Sequence, residues 1–97
     1  MEGVGVLARF EVAEDRDADV IEFFASGRAI VETQPASTIW FAYRVGPTTY
    51  GAFAAFTNDA DRQALLSSGG PTLSRENADL FTEPPSFALV EIIATRR

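Results

Sequence analysis

The chain contains no histidine, no cysteine and no lysine; all eight basic residues are arginine. Each absence removes a class of chemistry. Without Cys there is no thiolate nucleophile and no disulfide framework, and without His no base for a serine nucleophile. Without Lys there is no Schiff base. Zinc, haem and iron–sulfur centres lose their usual ligands, and an all-carboxylate Mg²⁺ or Ca²⁺ site is the one metal arrangement left formally open. Zinc, haem and iron–sulfur cofactors are therefore not expected. Long hydrophobic runs are missing too: nothing approaches 18 apolar residues, so no membrane span is expected. The opening Met1-Glu2 lacks the basic and apolar regions of a signal peptide, which makes the cytoplasm the expected location. Positive charge is scarce as well. The net charge of −6 argues against nucleic-acid partners and anionic membranes, and it favours solubility.

What is present suits one small domain over residues 1–97, with 46% hydrophobic residues. Residues 4–12 alternate Val4, Val6, Ala8, Phe10 and Val12 with a mixed second set, which predicts a strand. Asp15 or Asp17 can cap a helix over about 17–33, where Val20, Phe23, Phe24, Gly27, Ile30 and Val31 recur at helical spacing until Gln34-Pro35 ends it. Strands are predicted at 38–45 and 49–56, joined by the Gly46-Pro47-Thr48 turn into an antiparallel hairpin. Thr57 or Asn58 can cap a second helix with Ala60, Ala64 and Leu65 inward. Gly69-Gly70 stops it, and Pro71 opens a third with Leu73, Asn77, Leu80 and Phe81 on its buried stripe. After the rigid Thr82-Glu83-Pro84-Pro85 connector, residues 86–95 form the last strand, followed by the polar tail Arg96-Arg97. The order is βαββαβ, an α+β ferredoxin-like arrangement with an antiparallel four-stranded sheet.

Two helical layers cover one face of such a sheet, and a monomer would leave the other face polar. Here both sets are mostly apolar: Ile39, Phe41, Tyr43 and Val45 oppose Trp40, Ala42 and Arg44; Tyr50, Ala52, Ala54 and Phe56 oppose Gly51, Phe53 and Ala55; and Phe87, Leu89 and Ile93 oppose Ala88, Val90, Ile92 and Ala94. A homodimer that buries about 600–800 Å² per subunit is the economical way to cover the second face.

The chain resembles the antibiotic biosynthesis monooxygenase-like branch of the dimeric α+β barrel superfamily. The resemblance rests on Leu7-Ala8-Arg9-Phe10, Thr38-Ile39-Trp40-Phe41-Ala42 and Gly46-Pro47-Thr48-Thr49-Tyr50-Gly51, then the segment from Phe56 through Asn58 to Leu65, Gly69-Gly70-Pro71 and Pro84-Pro85. It implies a dimeric α+β barrel with one cleft per subunit between sheet and helices. It also implies oxygenation of small aromatic compounds such as anthrones and quinols without metal, flavin or haem, the deprotonated substrate itself reducing O₂. Many relatives carry a His near the position of Leu65; its absence here argues against haem degradation through an axial His.

Seven residues are candidates for substrate binding; none is assigned a catalytic role. Trp40, the single tryptophan, is a core residue or a platform for an aromatic ring. Tyr43 and Tyr50 can hydrogen-bond a phenolate or serve as interfacial tyrosines. Arg9, Arg44 and Glu91 interrupt apolar strands, so they are expected to form a buried ion-pair network or to hold an anionic ligand. Asn77 falls on the buried stripe of its helix and can point into the cleft or make a structural hydrogen bond. Gly69-Gly70-Pro71 lacks the Lys and the context of a phosphate loop. Oxygenation requires a mostly apolar cavity of about 300 Å³ or more with a few converging polar groups. The alternative, a non-catalytic small-ligand-binding homodimer, predicts a cavity with no titratable group placed to take a proton, and a purely structural dimer predicts a solid core.

Overall fold

The computed structural model describes residues 3–96; Met1, Glu2 and Arg97, the acidic start and the end of the expected polar tail, lie outside them. The elements are β1 (Gly3–Glu11), α1 (Asp17–Val31), β2 (Ile39–Arg44), β3 (Thr49–Phe56), α2 (Asp59–Ser68), α3 (Gly70–Glu76), a 3₁₀ turn (Ala78–Leu80) and β4 (Ser86–Ile92). All pairings are antiparallel, in the order β2-β3-β1-β4. This is the expected ferredoxin-like α+β fold. The last strand stops three residues short of the expected 86–95.

The register assigns the two faces. Val6, Ala8 and Phe10 pair with Ala54, Ala52 and Tyr50, and Trp40 and Ala42 pair with Ala54 and Ala52. Partners directly opposite in a ladder share a face, so all of these look toward the helices. They are joined there by Val20 and Phe23 of α1, by Leu65 of α2 and by Leu80. Phe10 lies at the centre. Its ring meets Phe23, Phe24 and Phe87 edge-on and tilts against Phe81, at centroid separations of 5.2–6.1 Å across this aromatic group.

The opposite face carries Leu7, Ile39, Phe41, Tyr43 and Val45, all exposed, with Phe41 half accessible. Gly51 belongs to this face for a steric reason. A Cβ there would lie 2.5 Å from the Tyr43 ring, so only glycine leaves room for that ring beside β3.

Helix ends depart from expectation in two places. Neither Asp15 nor Asp17 caps α1; Arg16 occupies the cap position with no side-chain capping bond, and Asp15 takes the left-handed conformation (φ 63°) that Asp tolerates in turns. Asp17 is instead drawn sideways to Tyr50 and Arg44. For α2 the expected cap holds: Asn58 Oδ1 accepts from the Asp61 N–H at 2.8 Å. Its inward face differs in part: Leu65 is buried as expected, but Ala60 and Ala64 are exposed, and Arg62 and Leu66 turn inward instead. Arg62 donates to the carbonyls of Gly5 (3.2 Å) and Val90 (3.1 Å) and to Asp59, which fastens α2 to β1 and β4. The third helix ends at Glu76, so Asn77, Leu80 and Phe81 belong to the turn after it rather than to one continuous stripe.

Because Phe10 joins both helical and sheet layers, Phe10→Ala is expected to lower the unfolding free energy by about 3–5 kcal/mol, measured by urea denaturation against wild type.

Candidate functional site

Between sheet and helices lies an apolar cavity of about 70 Å³. Its floor follows from the register. Ala42, Ala52 and Ala8 form one cross-strand row, which ends at Phe87 on the edge strand β4. The methyl groups of Ala52 and Ala8 in this row, with Ala54 beside them, leave a hollow that Phe23, Phe24 and Gly27 of α1 roof over, with Trp40 closing one end and Leu73 and Ser74 of α3 another. No ionisable side chain lines it, and its one side-chain hydroxyl, on Ser74, already donates to the Gly70 carbonyl (3.0 Å). The expected 300 Å³ is not found. Aromatic side chains from both layers meet across the space: Phe24 sits 6.5 Å from Trp40 and 6.2 Å from Tyr50, ring to ring. An apolar cavity of about 150 Å³ accommodates benzene, so this one is smaller than a ring needs. Its chemistry is clear: it favours a neutral apolar guest and penalises a bare charge by several kcal/mol.

Of the seven candidates, Trp40 alone lines this cavity. Tyr43 projects from the opposite sheet face, beside Phe41. Arg9 is on that face too and pairs with Glu11 at 2.9 Å. Glu91 is exposed opposite Val4 and forms no ion pair among the described residues. The expected buried network of Arg9, Arg44 and Glu91 is therefore absent. Arg9 lies on the uncovered sheet face and pairs within its own strand, Arg44 at the end of β2 reaches Asp17 of α1, and Glu91 is exposed on the edge strand β4. Asn77 bonds back to the Leu73 carbonyl at 2.9 Å and faces a separate polar groove with Arg16, Asp19 and Asp79.

Tyr50 and Arg44 do meet. The Tyr50 hydroxyl donates to Asp17 Oδ1 (3.0 Å), and Arg44 reaches the same oxygen at 3.4 Å. Arg44 also donates to the Gly46 and Pro47 carbonyls, and its guanidinium carbon lies 5.4 Å above the Tyr50 ring. Burial first, and then the bond to Asp17, push the Tyr50 phenol above its ordinary value. Tyr50 thus keeps its proton at neutral pH and ties α1 to the β2–β3 hairpin. On the other face, the Thr49 hydroxyl bond, helped by Arg9, holds the Glu11 carboxyl below its ordinary range. Among the described residues no cluster of carboxylates is arranged to hold a metal ion, and no helix is long and apolar enough to cross a membrane.

Phe24, Leu73, Ser74 and Phe87 shape the cavity, yet none was a candidate site residue. Phe24 and Leu73 were read from sequence only as apolar residues on buried helix faces.

No family model matches the chain, and no curated protein does either. Solved structures do. A protein of unknown function from Nitrosomonas europaea is 32% identical over 98% of this chain and 93% of its own, with a TM-score of 0.83. A variant of SnoaB, a cofactor-independent oxygenase from Streptomyces nogalater, is 26% identical over 98% and 97%, with a TM-score of 0.70. A candidate antibiotic biosynthesis monooxygenase from Caulobacter crescentus shares the fold at 13% identity, over 96% and 92%, with a TM-score of 0.75. Sheet order, helical layer and these likenesses together define an α+β protein of the ferredoxin-like type. The same fold recurs in candidate antibiotic biosynthesis monooxygenases from several bacteria.

The raised phenol of Tyr50 has a thermodynamic consequence. The unfolded chain loses this proton near pH 10 while the folded chain keeps it. Its contribution to stability is complete below about pH 10 and is lost as pH climbs toward the folded value. In Tyr50→Phe that share of the alkaline loss is expected to disappear, read as a flatter denaturation midpoint against pH above about pH 10.

Proposed function

We propose that this chain is a homodimeric, cofactor-independent monooxygenase that acts on a small aromatic compound held between sheet and helices. The observation that carries the reading is the cavity itself: an uncharged space walled by Trp40, Phe24 and Phe10, in a chain that resembles this family. The likeness to SnoaB, a cofactor-independent oxygenase, supports the choice of reaction.

The chemistry balances without help from the protein. An anthrone loses a proton from its CH₂ position, the carbanion passes electrons to O₂, and the resulting hydroperoxide loses water. The net change is anthrone plus O₂ to anthraquinone plus H₂O. The wall offers no base, so the substrate's own acidity supplies the anion, and the protein contributes orientation and exclusion of water. The rate should therefore rise with pH along the substrate's own ionisation, with no inflection from a protein group near neutrality. An oxygen electrode tests this with anthrones and quinols, with uncatalysed autoxidation subtracted. One O₂ consumed per anthrone is expected, and Trp40→Ala should abolish binding. If Trp40→Ala only lowers stability, by about 3–5 kcal/mol, Trp40 is a core residue and the reading loses its platform.

A second reading, a non-catalytic ligand-binding dimer, is favoured by the small volume and by the lack of any titratable group on the wall. It wins if an aromatic compound binds and O₂ uptake stays at the autoxidation rate.

The homodimer rests on the uncovered sheet face. Phe41, Ile39, Leu7 and Tyr43 form an apolar surface that a second copy of the same sheet would bury. Phe41→Asp is expected to give a monomer in sedimentation velocity at concentrations where wild type sediments as a dimer. A wild type that sediments as a monomer sinks this part of the reading.

A further inference from the structure

We propose that Phe87 governs which ligands reach the inner cavity, and that they enter through the cleft between α3 and the connector 82–85. The inference rests on the reading that an aromatic ligand occupies the cavity. The inner space, about 70 Å³, is too small for a ring. Beside it lies an outer cleft of about 530 Å³, lined by Phe81, Pro84 and Pro85, with Arg75 and Glu83 at its lip. Three residues line both spaces: Pro71, Ser74 and Phe87. They are the shared wall.

Two of the three are held in place. The Pro71 ring has no free torsion to swing, and the Ser74 hydroxyl is bonded to the Gly70 carbonyl. Phe87 is the movable one. It sits on β4, an edge strand paired only with β1, and its ring touches Phe10 edge-on at 6.1 Å. Gly70 leaves space beside it: a Cβ there would come to 3.6 Å from Phe87 Cε1, so the ring has room that any side chain at position 70 would fill. When Phe87 swings out, the two spaces join into one cleft within the roughly 300–1,000 Å³ range of small-molecule sites. The ligand's ring then takes the place of Phe87 beside Phe10, and its outer part rests on Phe81 and the prolines. A rival entrance lies beside Trp40 and Val31, which also border a groove of about 460 Å³. Arg28, Glu32 and Gln34 line that groove, a poor path for an apolar molecule.

Trp40, the single tryptophan, reports on the inner cavity, and menadione, an air-stable naphthoquinone, is a suitable quenching probe. In stopped flow, Phe87→Ala (or Phe87→Leu, should the first variant not fold) is expected to speed both association and dissociation by about tenfold, with the affinity moving less than about threefold. Gln34→Ala, which opens the rival groove and does not line the cavity, should leave both rates unchanged. Faster exchange in Gln34→Ala but not in the Phe87 variants overturns the proposal, and so does a rise in dissociation alone, which marks Phe87 as a mere contact. A ligand-free measurement separates the gate from the reading beneath it. Ring relaxation dispersion of Phe87 should show microsecond-to-millisecond exchange in wild type and lose it in Gly70→Val. A static ring overturns the gate even if menadione quenches Trp40. A mobile ring with no quenching leaves the gate standing and removes the aromatic ligand.

Discussion

The packing of Phe10 against Phe23, Phe24, Phe81 and Phe87 is the interaction on which the rest of this structure depends. Phe10 stands on β1, which pairs with both β3 and β4 at the centre of the sheet. Two of its partners come from α1, one from the segment after the 3₁₀ turn and one from the edge strand. One ring therefore sets how far the helical layer stands from the sheet. The alanine row beside it cannot fill that distance, and the cavity is the remainder.

The polar groups stay at the margins of this arrangement. Asp17, Tyr50 and Arg44 join the start of α1 to the hairpin, Arg62 ties α2 to two strand carbonyls, and Arg9, Glu11 and Thr49 form a corner on the far face. Each is satisfied locally and none turns toward the cavity. A site so apolar can orient a neutral ring and keep water away, but any proton must come from the guest. This division of labour is compatible with oxygenation driven by the substrate, and equally with binding alone.

Much of the architecture was legible from periodicity. The β3 boundaries, the Asn58 cap and the stop at Gly69 follow from local rules that the tertiary structure had no reason to override. The site was less legible. Trp40 was recognisable as the lone large ring in a strand, but Phe87 looked like any other strand residue. Arg9, Arg44 and Glu91 looked buried because their neighbours in sequence are apolar; in space Arg9 stands on the uncovered sheet face, Arg44 at a strand end and Glu91 on the edge strand. Asn77 looked inward because a helix was extended one turn too far.

By itself the sequence determined the order of elements, the two apolar faces of the sheet and the exclusion of thiolate, imidazole and amine chemistry, because these depend on residue identity and on spacing along the chain. Only the tertiary structure decided which face the helices cover, how small the space beneath them is and which ring stands at its edge. Those depend on cross-strand register and on the distance between packed layers, and both are set by residues far apart in the chain.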